Sequence, residues 1–174
     1  MADQPLRLAA RDADDLQVIA ACVQDALVPI GEMAYLPAER RFVLAINRFR
    51  WDRVDPGDPD KGGGPASRAD TQRDAAFWEE GDTGPHYERV HSGLRFEGVT
   101  GVRTRGIDLR NRDRILELLT VQSEGNAVLL VFADSAAIRL EIAALDCYLE
   151  DFGEGWSTRW RPRHPDDAGP GGSP

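Results

Sequence analysis

The 174-residue chain carries 30 acidic against 21 basic side chains, a net charge of −9, and 41% of its residues are apolar. That length and apolar share support one packed domain, while the acidity excludes a general nucleic-acid or membrane-surface binder, which presents an overall excess of Lys and Arg. The charge is sorted along the chain, however: five arginines against one aspartate over 40–53, and seven arginines against four acids over 86–114, make two basic islands. Lys61 is the sole lysine, a bias that genome base composition explains without a need for guanidinium chemistry.

Segment 1–8 has no apolar stretch of the kind a secretory signal needs. Asp12 then opens a helical pattern in which Leu16, Ile19, Ala20, Val23 and Leu27 recur at spacings of three and four, forming one apolar stripe. Asp12 is placed to cap the first turn, Asp14 and Asp15 suit the positive end of the helix dipole, and Pro29 is expected to stop the helix. A single amphipathic helix cannot bury its stripe alone, so a sheet from the rest of the chain must cover it.

After Pro29 the period falls to two. Strands are expected over 30–36 and 41–51, joined by a turn at Pro37, Ala38, Glu39 and Arg40. In the second strand Phe42, Leu44 and Ile46 share one face and Val43, Ala45 and Phe49 the other, and Arg48 and Arg50 are expected to emerge together at its end. Segment 54–84 is rich in Gly, Pro and polar residues and reads as a disordered insertion, with 54–72 the least able to build a core.

The strand period resumes at His86, with Val90, Ser92, Leu94 and Phe96 on one face and Arg89, His91 and Arg95 on the other. Further strands are expected over 99–107, 115–123, 127–133 and 137–143, with Tyr148 and Leu149 either closing the sheet or starting a short helix. Short connections favour antiparallel neighbours. The expected fold is therefore α+β, an antiparallel meander of about six to eight strands, curled or partly barrel-like, with one N-terminal helix. It forms a single domain over 1–164, followed by a disordered tail over 165–174.

Four segments in order, AYLPAERRFVLAINRFRW (34–51), SGLRFEGVTGVRTRGID (92–108), AIRLEIAALDCYLEDFG (137–153) and RPRHP (161–165), carry a resemblance. Together they resemble a family of alphaproteobacterial proteins built on a domain of unknown function. The resemblance covers most of 5–165 and implies a bacterial cytoplasmic protein of this size, with no reaction, cofactor or catalytic residue attached. Segment 57–73 is longer and richer in Gly and Pro than the family pattern.

Catalytic motifs are missing from the sequence. His86 and His91 lie an odd number of residues apart and so fall on opposite faces of one strand, which defeats a two-histidine metal site. His164 stands in a proline-flanked tail, Cys22 and Cys147 lie outside any metal or redox motif, and Gly62 to Gly64 run into Pro65 instead of a phosphate-loop lysine. Asp55, Asp58 and Asp60 miss calcium-loop spacing. No metal, cofactor or catalytic residue is assigned. The two cysteines read as buried thiols in a reducing cytoplasm, and the longest apolar run, 127–133, falls far short of the roughly 20 residues that cross a bilayer.

The chemistry that remains is an anion-binding sheet face assembled from Arg48, Arg89, His91, Arg95, Arg103 and Arg105, with Trp51 and Tyr87 nearby. Guanidinium forks bind phosphate and carboxylate bidentately. The competing reading makes these solvent-side strand positions paired with Glu88, Glu97 and Asp108. Residues 156–164, WSTRWRPRH, suit either base stacking or an arm that docks Trp156 and Trp160 back on the domain. The expected function is a non-enzymatic binding or adaptor protein that takes an anionic small molecule or an acidic protein surface. Nucleic acid is the less favoured partner, no membrane is involved, and a homodimer fits the exposed tryptophans. The alternative is a small enzyme that clamps a phosphorylated or carboxylated substrate with the same arginines and uses His91 as acid or base.

Overall fold

The computed structural model describes residues 4–51 and 87–158. The expectations for segment 54–84, for the tail over 165–174, and for His86, Trp160 and His164 lie outside those residues. The chain begins with strand β1 (Arg7–Ala10) and helix α1 (Ala13–Val23). Asp12 caps the helix as its sequence position demands, accepting a hydrogen bond from the Asp15 backbone N–H at 2.8 Å. Leu16, Ile19 and Val23 form the buried stripe.

The helix ends earlier than the apolar spacing predicts. Asp25 takes a left-handed conformation, φ 60°, and its N–H donates to the Leu118 carbonyl at 2.8 Å. Leu27 therefore belongs to strand β2 (Ala26–Pro29) and not to the helix. A single 3₁₀ turn (Ile30–Glu32) then shortens the next strand, β3 (Met33–Leu36), and a second turn (Pro37–Glu39) reverses the chain into β4 (Arg41–Phe49), with Arg40 at φ 51°. The predicted hairpin is present, its strands in register from Leu36 opposite Arg41 to Met33 opposite Leu44.

Six further strands complete the fold: β5 (Tyr87–Glu97), β6 (Val99–Arg105), β7 (Ile115–Glu124), β8 (Ala127–Phe132), β9 (Ala137–Ile142) and β10 (Cys147–Thr158). The ten strands among the described residues join one antiparallel sheet, against the six to eight expected, in the order β1-β10-β5-β4-β2-β7-β8-β9-β6 with β3 on the flank of β4. The strands beyond those expected are β1 and β2, each four residues long and too short to show a period, while β10, left open as a strand or a short helix, breaks its alternation with an inserted bulge. The sheet curls without closing into a barrel. β6, at one end of the order, returns to the β3–β4 turn, where the Val99 N–H donates to the Arg40 carbonyl at 2.8 Å and the Tyr35 hydroxyl donates to the Val99 carbonyl at 3.3 Å.

The concave side of the sheet and the stripe of α1 enclose the core. Phe42, Leu44 and Ile46 of β4 meet Leu94 and Phe96 of β5, Leu116 and Leu118 of β7, and Leu130 and Phe132 of β8. One charged cluster sits on this inner face. Arg48 does not emerge beside Arg50 as its position suggested: it is 0% exposed, and its Nε and Nη2 donate to Asp151 Oδ1 and Oδ2 at 2.8 and 2.7 Å. Ser92 Oγ donates to the same Oδ1 at 2.6 Å, and the Leu6 N–H reaches Oδ2 at 3.4 Å. The cause is the alternation itself, because Arg48 follows Leu44 and Ile46 onto the inner face and needs a counter-charge there. Among the described residues no helix is long and apolar enough to cross a membrane.

Burial alone would raise the Asp151 pKa, but hydrogen bonds from Arg48 and Ser92, the Arg48 charge and the Leu6 N–H together hold it below the usual carboxylate value. Its stabilising contribution is therefore present above the unfolded value, near ~3.9, and is lost as pH falls through the folded value. Denaturant melts of Asp151→Ala at neutral pH are expected to lose about 3–5 kcal/mol, the usual result of leaving one buried charge unmatched. The paired change Arg48→Met with Asp151→Leu should recover much of that loss, and Asp151→Asn should flatten the fall in stability below about pH 4 that the native chain shows.

Neither cysteine is in a disulfide, and burial, aided by the Asp146 charge, pushes the Cys147 thiol up to about 12. A thiol reagent at pH 8 is expected to label half-buried Cys22 in the folded protein and to reach Cys147 only after unfolding, as intact mass spectrometry would show.

Candidate functional site

The six residues expected to form one basic face separate in the fold. Arg48 is in the core. Arg89 turns to the outer face but is only 5% exposed; its guanidinium stands 5.8 Å from the Phe49 ring centre, and Nη1 donates to the Asn47 carbonyl at 3.3 Å. Desolvation lowers its pKa against the opposing pull of Asp25 and Glu117, and Nη2 has no hydrogen-bond partner. Arg103 and Arg105 are exposed on β6, the far edge strand, where Arg103 lies opposite Arg139. On β5, His91 and Arg95 share a second exposed surface, separate from that of Arg103 and Arg105 and two positions apart along the same face.

That surface is built in rows across β10, β5 and β4. Tyr148, Arg95 and Val43 form one row; Glu150, Gly93 and Ala45 the next; Phe152, His91 and Asn47 the third; and Trp156, Arg89 and Phe49 the last. The second row is low because Gly93 and Ala45 have almost no side chain. The result is a cleft of about 440 Å³, floored by Gly93 and Val43 and bounded by Arg7, Tyr148 and Phe152. Phe152 leans over the glycine, its Cε1 3.4 Å from where a Cβ would stand. The Arg95 guanidinium lies 4.6 Å from the Tyr148 ring centre and 3.2 Å from Glu97, while Arg7 pairs with Glu150 at 3.0 Å.

The aromatic wall depends on one backbone device. In a regular strand Phe152 and Trp156 would stand about 13 Å apart, at ~3.3 Å per residue, too far to flank one ring. In β10 the register jumps between them: Phe152 faces His91 and Trp156 faces Arg89, so four steps of β10 span two steps of β5. Gly153 takes φ 79°, and Gly155 passes so close to Arg50, Glu88 and the Arg89 carbonyl that a Cβ would meet them at 3.2–3.4 Å. With the surplus residues pushed out, the His91 ring lies 6.3 Å from Phe152, nearly parallel, and 4.6 Å from Trp156 at a tilt of 45°. Phe152 remains 47% and Trp156 37% exposed.

This arrangement can grip a flat ring between aromatic faces and offer cationic groups beside it. Phe152 and Tyr148 were not expected in the site. The one sequence signal for them is the run Phe152-Gly-Glu-Gly-Trp156, in which two glycines inside an otherwise strand-forming segment mark a bulge. Trp156 is placed against the domain, as the docked-arm expectation has it, but as part of β10.

Among the described residues no group of three or more His, Cys, Asp or Glu side chains is placed to hold a metal ion. No curated protein and no solved structure matches the chain. A family model described as "Protein of unknown function (DUF2948)" matches residues 6–164, which takes in every strand and the helix described above, and the chain belongs to that family.

Proposed function

We propose that this protein is a non-enzymatic binding module of the bacterial cytoplasm whose recognition surface is the cleft on the outer face of β4, β5 and β10. Its ligand is a small molecule that joins a planar ring to an anionic group. The bulge between Phe152 and Trp156 carries the reading, because a backbone distorted to bring two partly exposed rings against one histidine re-aims side chains as binding-site bulges do. The cleft volume of about 440 Å³ suits a small ligand better than a protein surface. The ring would stack on Phe152 or Tyr148, which line the cleft, with Trp156 and His91 beside Phe152, and the anionic group would meet Arg95 or Arg7 in competition with their acidic partners Glu97 and Glu150.

The enzyme alternative requires a carboxylate and a cation in reach of His91. Aromatic rings occupy both flanks of that imidazole, so the binding reading is preferred. Pairing of two copies through Phe152 and Trp156 remains an outcome that the test separates.

Ring-bearing anions, from nucleoside monophosphates to aromatic carboxylates, should shift the His91 ring resonances in NMR titrations, whereas inorganic phosphate alone should not. Trp156→Ala and Arg95→Ala are each expected to weaken that binding about tenfold or more, with Arg103→Ala neutral. A panel that leaves His91 unmoved, or variants that bind like the native chain, would overturn the reading. Light scattering that shows a dimer lost in Trp156→Ala would reassign the patch to self-association.

A further inference from the structure

A second surface, on the opposite flank of the sheet from the cleft, has a different chemistry. β2 begins at Ala26, opposite Leu118, whereas β7 continues past that point to Glu124. From Thr120 onward β7 pairs with β8 alone, so among the described residues its other edge has no strand partner. A groove of about 590 Å³ runs along that edge. It touches five consecutive residues of β7, Leu119 to Ser123, the stretch that lies beyond the pairing with β2. The far wall is α1, presenting Ala13, Gln17, Ala20, Ala21 and Gln24. These recur at helical spacing around buried Leu16, and the alanines leave the groove wall shallow where α1 packs on β7.

Native proteins blunt the edges they do not use. The edge strand β6 carries exposed Arg103 and Arg105, and β1 is four residues long. The free stretch of β7 has neither protection: Leu119, Thr120, Val121, Gln122 and Ser123 are uncharged, and Leu119 is 40% exposed. Charge is concentrated at one end of the groove. Because Asp25 bonds to Leu118, the C-terminal end of α1 lies at the start of the free stretch and Ala13 at its finish. Asp12, Asp14 and Asp15 gather there against Arg11, while Glu124 is answered by Arg139 at 2.7 Å.

We infer that this groove receives an extended segment of a basic partner protein, which adds as a strand to the unpaired edge of β7 beside α1. The free edge supplies main-chain pairing, the alanine and glutamine wall admits small or uncharged side chains, and the aspartate end selects a Lys or Arg on the segment. A second copy of this chain is the poorer occupant, because each copy has a net charge of −9.

The test is selection from a displayed library of random ten-residue peptides, followed by amide hydrogen exchange with the best binder. Selected peptides are expected to carry a basic residue at one end and to slow exchange at Leu119 to Ser123. Methylation of alternate peptide nitrogens should abolish binding. Asp14→Asn, an exposed and nearly isosteric change, should weaken it several-fold, with a thermal melt to show that α1 is retained. A library that yields no binder, binders without a basic residue, protection elsewhere, or equal binding by the methylated peptide would each overturn the inference. Protection confined to the Phe152 and Trp156 face would do so while supporting the outer cleft as the working surface.

Discussion

Asp151 is the constraint on which the arrangement of the sheet turns. One carboxylate accepts from Arg48 on β4, Ser92 on β5 and the Leu6 backbone just before β1, and so holds the strands that flank and face it. An apolar core fixes which faces meet but tolerates sliding; a buried bidentate ion pair fixes position along the strand, because a shift of one residue would strand two charges in a dry interior. The same registers place His91 opposite Phe152 on the outer face. The core cluster and the cleft are thus two sides of one pairing.

The fold was legible wherever alternation was unbroken. β4, β5, β8 and β9 fall within a residue or two of the positions their period indicates, and Asp12 caps α1. What escaped the pattern was decided by contacts distant in sequence. The C-terminal end of α1 yields to a left-handed Asp25 held by Leu118, and β1 exists only because β10 pairs with it. Bulges hid more. In β7 the buried residues run Leu116, Leu118, then Val121, since the extra residue near Leu119 shifts the alternation by one.

The candidate site was legible only in part, for a related reason. Position in the sequence groups Arg48 with Arg89, His91 and Arg95, whereas the end of β4 keeps the inner face that Leu44 and Ile46 set and Arg89 is covered on the outer one. Arg48 and Arg89 were therefore read as wet when both are buried. Arg103 and Arg105 could be placed beside His91 only by assuming that strands adjacent in sequence are adjacent in the sheet, and β6 instead pairs with β9. The aromatic residues were hidden because two of them meet through a bulge that no period records.

The ion pair also sets an order of events during synthesis. Arg48 precedes its partner by 103 residues, so a nascent chain that has already formed the β3–β4 hairpin carries an inward-facing guanidinium with no carboxylate to receive it. Closing that part of the core before Asp151 is present would sequester a lone charge, which costs several kcal/mol. The local meander of β7, β8 and β9, whose contacts are short in sequence, is free to form first. The last strand thus carries both the counter-charge and the cleft wall.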